Sequence, residues 1–167
     1  MKLCLKVALI ALSTLYSSAL YAQMRAIEKL SEIKDIQYHH VDREAITEAL
    51  NNNLDISFGD TTIIGGKDSD DILKDVDELY VLTAEAKSAA KKLSKGAQKI
   101  LKGKEFKSLI NINGDENGTV QICTAEQQGK NVLALLVNSD EGEVVFVVIK
   151  GSLNLSKLVE GIGSNLF

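Results

Sequence analysis

The sequence predicts a single α+β domain, a mainly antiparallel sheet with a C-terminal three-stranded meander packed against amphipathic helices. Three observations predict it. Apolar residues recur at helical spacing over 24–35 and 84–102, the last third holds three β-rich runs separated by turn segments, and the chain is too short for a second core. Of its 167 residues, 45% are hydrophobic, 25% charged and 5% aromatic. A domain of this size buries roughly 68–70% of its unfolded surface, so one core is expected.

Residues 1–22 read as a secretory signal. Lys2 and Lys6 make a basic start, Val7 to Leu15 an apolar run, and Ser17, Ser18 and Ala19 a small-residue stretch ahead of Ala22-Gln23. Cleavage after Ala22 is favoured, with a cut after Ala19, which puts Ser17 at −3, as the alternative. The apolar run is far shorter than the roughly 20 residues of a spanning helix. Cys4 precedes that run, whereas a lipid-attachment cysteine follows it, so a lipoprotein is disfavoured. The expectation is export to the periplasm or cell envelope, or secretion, with residues 23–167 as the mature domain. Removing Lys2 and Lys6 from the 19 basic residues leaves 17 against 23 acidic ones, a net charge of −6. That balance argues against a nucleic-acid partner. Cys4 leaves too, so Cys123 is the one remaining thiol and no internal disulfide can form.

Ile27, Leu30 and Ile33 recur among Glu28, Lys29, Glu32 and Lys34, which predicts a first amphipathic helix from Met24 to Asp35. Ile36 to Val41 is short and rich in β-branched and aromatic residues, and predicts a strand. Asp42 is placed to cap a helix burying Ala45, Ile46, Ala49 and Leu50, ended by Asn51-Asn52-Asn53. Leu54 to Lys67 is open, with Asp55 to Phe58 and Thr61 to Ile64 as candidate short strands. Asp68 is placed to cap a short helix through Ile72, Leu73 and Val76, and Glu78 to Thr83 predicts the next strand. From Ala84 to Lys102 the series Ala86, Ala89/Ala90, Leu93, Ala97 and Ile100/Leu101 is a helical stripe, weakened at Gly96 by about 1 kcal/mol relative to Ala.

The last third supplies the meander: Gly118 to Thr124, Asn131 to Val137 and Val144 to Ile149, with turns over Ala125 to Lys130 and Asn138 to Glu143. The first run alternates Val120, Ile122 and Thr124 with Thr119, Gln121 and Cys123, which predicts one buried and one wetter face. VLALLV and VVFVVI are apolar on both faces, as expected of central strands covered on each side by helices or by a second subunit of a homo-oligomer. Gly151 closes the sheet, and Asn154 to Ile162 predicts a terminal helix burying Leu155, Leu158, Val159 and Ile162.

Sites of familiar chemistry fail on spacing. His39 and His40 point to opposite faces of a strand, which leaves only His40 and Asp42 on one side and two zinc ligands short. Asp68, Asp70, Asp71, Asp75, Asp77 and Glu78 lack the order of a calcium loop, and suit the start of a helix. Gly65-Gly66-Lys67-Asp68 is not a phosphate loop, since Thr61 and Asp68 occupy places that need Gly and Ser or Thr. No GxSxG, HExxH or CxxC pattern occurs. Nothing near Cys123 depresses its pKa, so it reads as an inert, half-buried strand cysteine, with pairing to another chain in an oxidising compartment as the alternative. No catalytic residue, metal ligand or cofactor site is predicted.

Charge order is the sharpest feature. Asp68 to Glu85 holds seven acids against Lys74, and Lys87 to Lys107 holds eight lysines against Glu105. Lys87, Lys91, Lys95, Lys99 and Lys102 fall opposite the Ala/Leu/Ile stripe of the long helix. They mark a candidate interaction surface for an acidic partner or anionic headgroups. With no Trp or Phe to insert, membrane contact is peripheral at most, and a solvated outer face is the plainer reading.

ELYVLTAEAK at Glu78 to Lys87, the basic helix after it, the Phe106-Lys107-Ser108-Leu109-Ile110 step and VFVVIKGSLNLSKL at Val145 to Leu158 together resemble the exported bacterial family known as domain of unknown function 4252 (DUF4252), over roughly Met24 to Leu166. The resemblance implies an exported α+β domain with no assigned reaction and no catalytic residues to carry over, and a link in some members to envelope-stress or sigma-factor regulation. The combined expectation is an exported, non-catalytic protein that binds an envelope protein, with a module for a small apolar or anionic ligand as the alternative.

Overall fold

The computed structural model describes residues 24–51, 56–58, 61–64, 73–113, 118–127 and 129–154. Helix α1 covers residues 24–31 and buries Ile27 and Leu30, with Ile33 packed at the margin of the same core. Asp35, at φ 67°, turns the chain into strand β1 (Gln37–Val41). Helix α2 (Arg43–Asn51) starts where Asp42 Oδ1 accepts the Ala45 N–H at 2.9 Å, the capping expected of a short acidic side chain. Ile46 is its fully buried residue, and Ala49 is half-buried. Ala45, expected inside, is exposed, because it lies on the turn that faces away from the sheet. The open stretch resolves in part into β2 (Ile56–Phe58) and β3 (Thr61–Ile64), an antiparallel pair separate from the main sheet.

Strand β4 (Val76–Ala84) begins two residues earlier than expected, so Val76 is a strand residue rather than the end of a helix. Of the helix led by Asp68, residues 68–72 lie outside the described residues; Leu73 is helical and buried, and Lys74 and Asp75 form a turn before β4. Helix α3 (Lys87–Leu101) starts one residue after Ala86, which is its exposed N-cap, and buries Ala89, Ala90, Leu93, Ala97, Ile100 and Leu101 as the stripe predicts. The signal and the terminal helix after Asn154 lie outside the described residues.

Four strands complete the fold: β5 (Lys107–Asn113), β6 (Thr119–Gln127), β7 (Lys130–Asn138) and β8 (Val144–Gly151). The expected three-stranded meander is present as β6, β7 and β8, and β5 extends it by a strand. The first turn is tighter than expected, because β6 runs on to Gln127 and β7 begins at Lys130. The second is closed by Ser139 N–H on Glu143 O at 2.9 Å and Gly142 N–H on Ser139 O at 3.1 Å.

The main sheet has the order β1-β4-β8-β7-β6-β5 and is antiparallel throughout. The two runs that are apolar on both faces, β7 and β8, are its middle strands. Successive residues supply two cores. Tyr80, Leu82, Ala134, Leu136, Phe146 and Val148 meet α1 and α3 on one face. Leu79, Val81, Ile122, Leu133, Val147 and Ile149 meet Ile46 of α2, Leu73 and Leu153 on the other. Full burial of each large side chain is worth about 1.5–3 kcal/mol, and both layers are needed to collect it.

The expected wetter face of β6 is a correction. Cys123 is only 1% exposed and Ala125 is buried, because both enter the helix-side core rather than solvent. Arg43 ties α2 to the sheet by donating from Nη1 to the carbonyls of Leu73 and Val76. At the far end of β8, Gly151 lies so close to the chain before β4 that a Cβ would run into the Asp75 carbonyl, and the next N–H, of Ser152, donates to that oxygen at 2.8 Å.

Candidate interaction surface

Two places outside the cores gather charged side chains: the outer face of α3, and the end of the sheet around Glu78.

On α3 the sequence pattern maps directly onto the structure. Alanines and leucines fill the side toward β4, β7 and β8, so lysines at a spacing of three or four are forced outward. Lys87, Lys91, Lys95, Lys99 and Lys102 are all exposed, as is Lys92 beside them. From the first to the last the row spans about 22 Å at 1.5 Å per residue. Among the described residues no carboxylate lies within ion-pair distance of any of these five. The support beneath them is rigid. Leu93 and Ala97 are 0% exposed, and α1 presses against α3 where Gly96 leaves room for Leu30; a Cβ at Gly96 would run into Leu30 Cδ2. The glycine that looked like a defect in the helix is the point of contact between helices.

The second cluster was not legible as a site. Tyr80 of β4 lies opposite His40 of β1, and their rings stack with centroids 4.3 Å apart and planes 4° from parallel. The Tyr80 hydroxyl donates to Glu78 Oε2, and Lys150 Nζ, from the strand on the other side, reaches Glu78 Oε1 at 3.3 Å. A bulge between Val76 and Glu78 leaves Asp77 without a partner in the ladder, and Lys130 pairs with its carboxylate. Burial by itself would raise the Glu78 carboxyl, but the Tyr80 hydroxyl, Lys150 and His40 outweigh it and hold the group below its ordinary range. Burial, with the Glu78 carboxylate beside it, pushes the Tyr80 phenol far up, and burial together with Glu28 and Glu78 raises Tyr38. Such a phenol keeps its proton and serves as a hydrogen-bond donor. The cluster is an internally satisfied brace across β1, β4 and β8.

His39 and His40 fall on opposite sides of β1, and among the described residues no group of three metal-ligating side chains comes together. Asp75 and Asp77 are the described aspartates of the acidic run, and Asp77 is committed to Lys130. Cys123 is a free thiol whose pKa is raised by burial, against weaker lowering by hydrogen bonds with Gln121 and Ser108. An open depression of about 440 Å³ lies beside α2, lined by Arg43, Glu44, Thr47, Glu48 and Asn51. Its described walls all belong to α2. No described helix is long and apolar enough to cross a membrane.

These features define an α+β protein with a six-stranded antiparallel sheet between helices and a basic helix as its most distinctive exposed surface. The family described as "Domain of unknown function (DUF4252)" matches residues 46–160, and the chain belongs to it. That span takes in β4, α3 and the whole meander, the region whose motifs carried the resemblance. Comparison with curated proteins and with solved structures returned no match.

Proposed function

We propose that this chain is an exported, non-catalytic envelope protein that works by docking an acidic protein partner on the lysine face of α3. The observation that carries the reading is the row itself: five lysines on one rigid helix, exposed, without a carboxylate partner among the described residues. Like charges held four residues apart destabilise a helix slightly, so a bound polyanion relieves repulsion as well as adding attraction. Export is supported by the basic, apolar and small-residue order of residues 1–22. The test is capture of the exported protein from envelope fractions by wild type and by Lys91→Gln/Lys95→Gln/Lys99→Gln. The expected result is a partner retained by wild type, lost from the triple variant and released by moderate salt. Identical recovery with both proteins, or none above an untagged control, overturns the proposal.

A further inference from the structure

The chain carries the complement of its own lysine row. The turn between β7 and β8 holds Asp140, Glu141 and Glu143, all exposed, and the sequence has no lysine or arginine between Lys130 and Lys150, which stand at the far ends of these two strands. From Val144 to Lys150 is about 20 Å along β8 at 3.4 Å per residue. Among the described residues no basic group lies within ion-pair distance of the three carboxylates. The turn is held in one shape by its own hydrogen bonds: to those already given between Ser139 and Glu143 and between Gly142 and Ser139, the Glu143 N–H adds one to Ser139 Oγ at 3.2 Å. Exposed acids of the helices lie beside bases instead, Glu28 next to Lys29 on α1 and Glu44 next to Arg43 on α2.

Resting on the reading of α3 as a docking face, we infer that the acidic partner is a second copy of this chain, which seats its β7–β8 turn on Lys91, Lys95 and Lys99. Charge complementarity selects the turn. Both charge sets are exposed, and among the described residues neither finds its counter-charge within the molecule, so each is matched by the other set on a neighbouring copy. The sizes agree: the ends of such a turn are within about 7 Å of each other, and successive lysines of the row are about 6 Å apart along the helix axis. The two surfaces differ, so the contact is heterologous, and a copy engaged through its turn still offers its lysine row to a third. Exposed pairs are screened by salt, so the association belongs to low ionic strength and high local concentration.

The experiment is sedimentation velocity of the purified chain over a range of concentrations at about 20 mM and about 300 mM salt, where the Debye length falls from roughly 20 Å to roughly 6 Å. Wild type is expected to associate as concentration rises at low salt and to return to monomer at high salt. Two variants with unchanged circular dichroism complete the test: Lys91→Gln/Lys95→Gln/Lys99→Gln, which keeps only the turn, and Asp140→Asn/Glu141→Gln/Glu143→Gln, which keeps only the row. Each alone should associate about tenfold more weakly than wild type or worse. Mixed in equal amounts they should form a pair and stop there, because each retains the half that the other lacks. Association that persists in either variant alone refutes the turn-on-row contact. Wild type that stays monomeric at low salt, yet binds a glutamate-rich peptide, refutes the second copy and leaves the lysine reading standing. Wild type that binds neither itself nor the peptide refutes both. Monomeric wild type that sediments with phosphatidylglycerol vesicles and ignores the peptide refutes a protein partner.

Discussion

Glu78 is one carboxylate serving two donors, the Tyr80 hydroxyl and the Lys150 ammonium, and each comes from a different part of the sheet's end. Its pKa in the folded protein lies below the ordinary value. The contribution it makes to stability is therefore fully present above the unfolded pKa, about 4.3, and is lost as pH falls through the lowered folded value. Glu78→Gln should lower the melting temperature at pH 7 and cost progressively less as the solution is acidified below about pH 4; a gap of constant size across that range would show that the charge is not involved. Tyr80→Phe removes only the hydroxyl and should cost about 0.5–1.5 kcal/mol in urea unfolding. Cys123 makes the opposite case, a reactive group made inert by its surroundings. At 1% exposure and with a raised pKa it should resist a maleimide in the native protein and react at once in denaturant. Its place was misread in the sequence because Thr119, Gln121 and Cys123 alternate as a wet face does. The core that covers Cys123 is built by elements far away in the chain, which period-two alternation cannot register.

Among elements, α3 was the most legible, because its stripe repeats for four turns and its lysines keep to the other side. Its glycine was not. Gly96→Ala gains helix propensity, about 1 kcal/mol, but drives a methyl group into Leu30. The single substitution should destabilise the protein. In a Leu30→Ala background the same change should stabilise it, and a double-mutant cycle read by thermal unfolding measures the coupling. Leu93→Ala should cost about 2–5 kcal/mol, since the residue is fully enclosed by the sheet. Strand β5 was missed for a different reason. Its half-buried residues, Ile110 and Ile112, keep period two, but the bulge at Leu109 breaks the alternation just where the strand begins, and Lys107 and Asn113 give the run a polar frame. The lysine face as a set of residues was readable from helical spacing alone. The Tyr80–Glu78–Lys150 brace was not, because β4 and β8 are neighbours in the sheet and distant in the sequence.

The whole molecule divides its charge. A basic helix covers one side of the sheet, and the acids of α2, Glu44 and Glu48, lie on the other, within a chain of 19 basic and 23 acidic residues and net charge −4. Binding through the lysine row should fall steeply between 50 and 300 mM salt, over which the Debye length drops below about 10 Å, and isothermal titration with a glutamate-rich peptide at several salt concentrations checks it. The pairing of β4 with β8 has a further consequence. Val81 lies opposite Val147, so a central strand of the sheet is the last of the described strands in chain order, and neither half of the sheet can close without it. Contacts of such long range make folding slow, on the order of milliseconds to seconds. With that topology the six strands form one cooperative unit, so no part of the sheet is expected to persist once β8 is pulled out of it.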